Sequence, residues 1–228
     1  MVKTSMKISK TTFDILKNFS NINSNIYVQN GNVLGTISPI KTILAAAEVE
    51  ETFDTPFGIF DLSKFLGTVS LFDDPDFTFH EKYVTISDDN RSIKYHYCDP
   101  QLLTIPTQKL EMPEVNVSFE LTQNDLGEIR KASAVLGVSD ITFRKNNNEE
   151  LEVLVHDKSN TTSDSFTINL GDTDCPSNFS MNLLSDYLKI ISGDYTVDLS
   201  SKRVARFTHN NLGVVYWIAL ETDSTFDE

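Results

Sequence analysis

The chain has 228 residues, of which 33 are Asp or Glu and 19 are Lys or Arg, for a formal net charge of −14. Hydrophobic residues make up 39% and charged residues 23%, a balance that fills a core and excludes general disorder. So acidic a chain does not draw its affinity from blanketing phosphates with cations, although a small local patch can still touch nucleic acid.

The length suits one large domain or two modest ones. The two cysteines, Cys98 and Cys175, lie far apart with no ligand spacing around them, so structural zinc is not expected and the count fits a reducing compartment. The cations of residues 1–10 are not followed by an apolar stretch, and no apolar run approaches the roughly 18 residues of a membrane span. A soluble, cytosolic protein is expected.

In chain order, the first amphipathic segment runs from Thr11 to Ile22. Phe13, Ile15, Leu16 and Phe19 share one side at helical spacing, and Lys10, Asp14, Lys17, Asn18 and Asn21 share the other. Ser9 or Thr11 can cap its start. Asn30-Gly31 reads as a hairpin turn. A second helix is predicted over Asp61–Leu71, with Leu62, Phe65, Leu66 and Val69 inward and Lys64 outward. Strands follow over Tyr83–Ser87 and Ser92–Tyr97. Asp99–Glu114 holds Pro100, Pro106 and Pro113, three of the seven prolines, and reads as an extended linker.

Beyond it, a third helix is predicted over Thr122–Leu136, with Leu126, Ile129, Ser133 and Leu136 inward. The Asn146–Asn148 run reads as a hairpin turn. A fourth helix is predicted over Asn182–Ile191, then strands over Asp194–Leu199 and Val214–Leu220, with a turn at Asn210–Gly213. Several strands per short helix indicates an α+β chain with antiparallel sheets.

The pieces repeat. Leu62–Ser70 aligns with Leu184–Ser192 at an offset of 122, with four of nine positions identical, and the first and third helices align in the same order at a similar offset. Duplication explains both pairs better than shared composition does. The expected organisation is an N-terminal module at 1–99, a linker at 100–114 and a C-terminal module at 115–228.

Catalytic signatures are missing. There is no phosphate-cradling loop, and Gly31 and Gly35 are too sparse for a dinucleotide fingerprint. The four histidines, His80, His96, His156 and His209, lack the H-E-x-x-H spacing of a zinc helix. No G-x-S-x-G elbow occurs. Asp73, Asp74 and Asp76 flank Pro75 without the Gly and terminal Glu of a calcium loop. No catalytic residue, metal or cofactor is expected.

Particular segments carry a family likeness. Ile8-Ser9-Lys10, Leu16-Lys17-Asn18-Phe19, Ile22-Asn23-Ser24, Phe60-Asp61-Leu62, Phe65-Leu66-Gly67, Ser70-Leu71 and the ending Ala219–Thr225 resemble the T-even-type bacteriophage DNA sliding clamps. That family is a set of DNA polymerase processivity factors related in architecture to proliferating cell nuclear antigen. The likeness touches both halves and the C-terminus. Met6-Lys7 occupies what looks like the family's start, which leaves residues 1–5 as an added tail.

The resemblance implies two similar clamp modules, with helices on one face of antiparallel sheets, assembling head to tail into a homotrimeric ring around duplex DNA. It implies a DNA polymerase docking by its C-terminal peptide, a clamp loader ATPase that opens the ring, and the cytoplasm of the infected bacterial host as the setting. The implied DNA-facing residues are Lys10, Lys17, Lys64, Lys131 and Lys189, with Arg130 on a flank. The alternative is that these side chains are simply solvated, since Asp14, Glu128 and Asp186 share the same segments. The implied peptide pocket takes Leu102, Leu103 and Ile105 from the linker and Ala219 and Leu220 from the last strand. The alternative there is that the linker residues anchor the linker to its sheet. The competing function is a non-catalytic phage structural or interaction protein with duplicated α+β domains.

Overall fold

A computed structural model describes residues 5–107, 111–160 and 162–227. The chain divides into two compact units, Met1–Lys109 and Leu110–Glu228.

The first unit runs β1 (Ser5–Met6), α1 (Lys10–Ser20), β2 (Ile26–Val28), β3 (Gly31–Ile37), β4 (Ile43–Phe53), β5 (Phe57–Ile59), α2 (Leu62–Val69), β6 (Asp76–Phe79), β7 (Tyr83–Ser87) and β8 (Ser92–His96). Pairing is antiparallel throughout: a four-stranded sheet in the order β1-β6-β7-β8, with β2 on β5 and β3 on β4. Strand β4 shows how the sequence sets the sheet. Ile43, Ala45, Ala47, Val49, Glu51 and Phe53 are buried on one parity, while Glu48, Glu50 and Thr52 are exposed on the other. Helices α1 and α2 pack together and bury Ile15, Leu16 and Phe19, and Leu62, Phe65 and Val69.

The second unit runs β9 (Val117–Leu121), α3 (Gln123–Leu136), β10 (Asp140–Lys145), β11 (Glu150–His156), β12 (Phe166–Asp172), β13 (Phe179–Leu184), a 3-10 turn (Ser185–Leu188), β14 (Tyr195–Ser200), β15 (Val204–His209), β16 (Val214–Ala219) and β17 (Thr225–Phe226). Its antiparallel sheets have the orders β12-β11-β10-β13-β17 and β16-β15-β14-β9. Each unit thus repeats one plan, a helix, four strands, a helix or helical turn, and three strands, to which the second unit adds β17. The fold is α+β.

Four details differ from the sequence reading. The fourth helix is absent: Asn182–Leu184 complete β13, and only Ser185–Leu188 turn, as a 3-10 helix. The position matching Asp61, the side-chain cap of α2, is Leu183, and the turn has no side-chain cap. The Ser185 N–H is taken by the Ser139 carbonyl at 2.8 Å, and without a side-chain cap the start lacks the stabilisation that Asp61 gives α2. Second, Asn30-Gly31 does not close a hairpin; it passes the chain from the β2–β5 pair to the β3–β4 pair. Third, Ser5 and Met6 form β1 against Thr78 and Phe77, so Ser5 is not a loose addition; residues 1–4 of the expected tail lie outside the described residues. Fourth, residues 100–106 are fastened to the first unit. Pro100–Leu102 form a 3-10 turn, and Thr104 N–H donates to Asn25 Oδ1 at 3.1 Å. Leu103 Cδ1 lies 2.7 Å from where a Cβ on Gly58 would stand.

Candidate nucleic-acid interface and peptide pocket

Helix α1 is held at its N-terminus by a buried carboxylate. Ser9 caps it, its hydroxyl accepting from Thr12 N–H at 3.2 Å. Glu51 of β4 accepts from Ser9 N–H and from the Thr12 hydroxyl, each at 2.5 Å. Burial alone would raise the Glu51 carboxyl, but these donors outweigh it and hold the group below the usual glutamate range. Glu51 was not singled out from sequence; its signal is its parity, since it falls on the buried side of β4 between Val49 and Phe53.

This anchoring fixes the outer face of α1, where Lys10, Asp14, Lys17 and Asn21 are exposed. Lys64 is exposed on α2 beyond the Asp61 cap, whose Oδ1 accepts from Lys64 N–H at 2.8 Å. Neither helix has an acid in its first turn, and Lys10 and Lys64 sit there instead. A cation at a helix N-terminus opposes the macrodipole. The helix dipoles are met instead by carboxylates, Glu51 at the start of α1 and Asp61 at the start of α2, and the two lysines are left facing solvent.

The second unit treats its cations differently. Helix α3 opens with a capping box between Thr122 and Asp125, and Asp194 Oδ1 also accepts from Gln123 N–H at 2.7 Å. Lys131 is exposed on α3. Lys189 is exposed after the 3-10 turn and pairs with Asp186 at 2.8 Å. Arg130 departs from the solvent-facing expectation. Its Nε donates to the Leu188 carbonyl at 2.7 Å, and its Nη2 donates to the same carbonyl and to that of Ile190 at 2.6 Å. Burial pulls its guanidinium below the usual arginine range. Arg130 thus binds the end of the 3-10 turn to α3, in place of the turns of helix predicted there.

The residues expected to border a peptide pocket divide between the units. In the first, Leu102 is 66% exposed, while Leu103 and Ile105 are half-buried, Leu103 beside Gly58 and Cys98. In the second, Ala219 is half-buried and Leu220 is buried, with Leu220 N–H donating to the Arg203 carbonyl at 3.0 Å. Ala219 shares a face of β16 with Val215 and Trp217. The Trp217 indole N–H is buried with no acceptor among the described residues. Sequence reading missed this tryptophan, although it stands two residues before Ala219 on the same strand.

A family model described as DNA polymerase processivity factor matches residues 7–105, and one described as gp45 sliding clamp, C terminal, matches residues 118–222. The sliding clamp of Vibrio phage KVP40 is 30% identical over 221 residues, covering 95% of this chain and 99% of that protein. That of Escherichia phage RB69 is 29% identical over 232 residues, covering 97% and 100%. Among solved structures, the A. fulgidus PCNA bound by the C-terminal region of FEN-1 superposes with a TM-score of 0.72 at 13% identity, over 99% of this chain and 100% of that one. The PCNA of Entamoeba histolytica gives 0.72 at 13%, over 97% and 100%. The structural likeness shows the fold, and the phage relatives show the kinship: the chain belongs to the sliding-clamp family of DNA polymerase processivity factors.

Proposed function

We propose that three copies of this chain close head to tail into a ring that encircles duplex DNA and tethers the replicative DNA polymerase. The observation that carries this reading is that one sheet of each unit ends in an outer strand of five or more residues with no further partner strand among the described residues. Strand β8 borders the β1-β6-β7-β8 sheet and β12 borders the β12-β11-β10-β13-β17 sheet. An exposed edge left unpaired invites aggregation, and two different edges on one chain suit a heterologous joint that closes by rotation. Two modules per chain and six per ring give three chains.

The edges are chemically matched. Beside β12 lies an open cleft lined by the apolar Ala132, Val135, Leu136 and Phe166 and bordered by Glu128, Lys131 and Ser165, with Val135 75% exposed and Phe166 37% exposed. Asp164 precedes β12, Asp172 ends it and Asp174 follows it, whereas Lys94 and His96 stand exposed on β8 and the Lys82 carbonyl accepts from Tyr97 N–H just beyond that strand. The second copy's β8 is the natural occupant.

In this reading, retention comes from topology and not from adhesion. Lys10, Lys17, Lys64, Lys131 and Lys189 line the hole and make loose, sequence-independent phosphate contacts, while Arg130 shapes the wall. A polymerase C-terminal peptide docks by a few apolar side chains on Leu102, Leu103, Ile105, Ala219 and Leu220, and the shared DNA raises its effective concentration. A clamp loader ATPase opens the ring in the cytoplasm of the infected host, and the clamp itself is non-catalytic.

Light scattering should give the mass of a trimer, and retention on primed circular DNA should require the loader and end when the circle is cut. Phe166→Asp should yield monomers. A wild-type monomer at micromolar concentration, with no gain in polymerase run length, overturns the reading.

A further inference from the structure

Residues 221–227 run as a strap along β13. Glu221 N–H donates to the Asn182 carbonyl at 2.7 Å, and Asn182 N–H donates to the Ser224 hydroxyl at 2.9 Å. Strand β17 then pairs Thr225 and Phe226 with Ser180 and Phe179.

Asn182 is 8% exposed, so its side-chain amide must also be satisfied. Its Nδ2 donates to Asp223 Oδ1 at 3.1 Å, and its Oδ1 accepts from the Thr142 hydroxyl at 2.7 Å. The other Asp223 oxygen receives the Lys158 ammonium at 3.0 Å, and Lys158 also lies 3.6 Å from Asp140. The hydrogen bond from Lys158 holds the Asp223 carboxyl below the usual aspartate range.

The direction of this relay follows from chemistry. A carboxylate only accepts, so Asn182 must turn its NH2 to Asp223 and its oxygen to Thr142. The single proton of Thr142 is then committed to Asn182. His156 Nε2, 2.9 Å from Thr142 Oγ1, must therefore carry the proton and donate it. One carboxylate on the strap thus orients side chains on β10, β11 and β13.

We propose that Asp223 is the latch of this strap and a positioning residue for the partner-peptide pocket. This rests on the reading above, in which Ala219 and Leu220 border that pocket. The strap begins where β16 ends, and Leu220 is bracketed by its own bond to Arg203 and by that of Glu221 to Asn182. Fastened, the strap fixes the rim; released, it lets the rim move. The Lys158 and Asp223 side chains are 32% and 50% exposed, so each contact is screened and modest, and the latch is within reach of salt.

The test uses the full-length protein labelled with 15N at histidine and a synthetic peptide of the phage polymerase's C-terminal segment. The wild type should show His156 in the Nε2–H tautomer. Asp223→Ala should lose that preference and bind the peptide about tenfold more weakly, with its oligomeric mass unchanged. Lys158→Ala, which removes the partner charge and leaves the relay's hydrogen bonds in place, should lower affinity less and keep the tautomer. Wild-type affinity in Asp223→Ala overturns the latch, as does an unaltered His156 tautomer in that variant. Failure of the wild type itself to bind the peptide or assemble would overturn the functional reading instead, and the tautomer would still report on the relay.

Discussion

Both helices of the first unit carry a cation in the first turn, Lys10 in α1 and Lys64 in α2. In the second unit α3 carries Asp125 there, and the turn after β13 carries Asp186. Acids near a helix start are each favourable by about 0.3–1 kcal/mol, and cations unfavourable by a similar amount. The second unit's charges thus stabilise its own structure. The first unit meets its helix dipoles with acids from outside the first turn, Asp61 capping α2 and Glu51 reaching α1 from β4, and leaves the first-turn positions to cations. Phosphate attraction should be concentrated in the first unit, while the second contributes shape.

The strongest test concerns Arg130. Arg130→Ala leaves the Leu188 and Ile190 carbonyls without their donor and should cost about 3 kcal/mol of stability in the second unit, read from the denaturant midpoint. The salt slope of DNA retention should not change. A slope reduced by about one would place Arg130 on DNA and break the contrast between the units.

Glu51→Gln should cost about 2 kcal/mol, seen as weaker amide protection of α1. The sign of its pH dependence is fixed, because the folded carboxyl is held below its unfolded value. Its stabilisation is complete above the ordinary glutamate range, near pH ~4.3, and fades as the pH falls through the folded value. Urea midpoints should therefore fall less steeply on acidification in Glu51→Gln than in the wild type.

Thr122→Ala removes the capping box and should cost about 1 kcal/mol, measured by thermal unfolding. The smallest effect on stability belongs to Lys10→Ala, Lys17→Ala and Lys64→Ala, each within about 0.5 kcal/mol. Each should nonetheless lower the salt slope of DNA retention by about one. Equal losses from Lys131→Ala and Lys189→Ala would erase the difference between the units.

Periodicity carried most of the fold. Strand β7 fell on Tyr83–Ser87 as read, and the first three helices start directly after Ser9, Asp61 and Thr122, whose side chains cap them. The fourth helix failed because apolar spacing over Leu184, Tyr187, Leu188 and Ile191 cannot reveal that Leu184 is already paired with Asp140 in a sheet. Arg130 read as an exposed flank because its partners are backbone carbonyls 58 and 60 residues away, which no local pattern encodes. The Asn182 relay was equally hidden, since it joins polar residues from β10, β11, β13 and the chain end. Lys10, Lys17, Lys64 and Lys131 were legible because a helix's polar face follows directly from its apolar one, whereas Lys189 is exposed although the helix that suggested it is absent.

The close approach of Leu103 to Gly58 bears on how this protein can change over generations. With Leu103 Cδ1 only 2.7 Å from the place a methyl on residue 58 would take, and the Cys98 carbonyl oxygen and sulfur at 3.2 Å, a larger residue at 58 must displace the Leu103 side chain and press on Cys98 as well. Positions 58, 98 and 103 are therefore free to change only in concert, each substitution being answered by its neighbours.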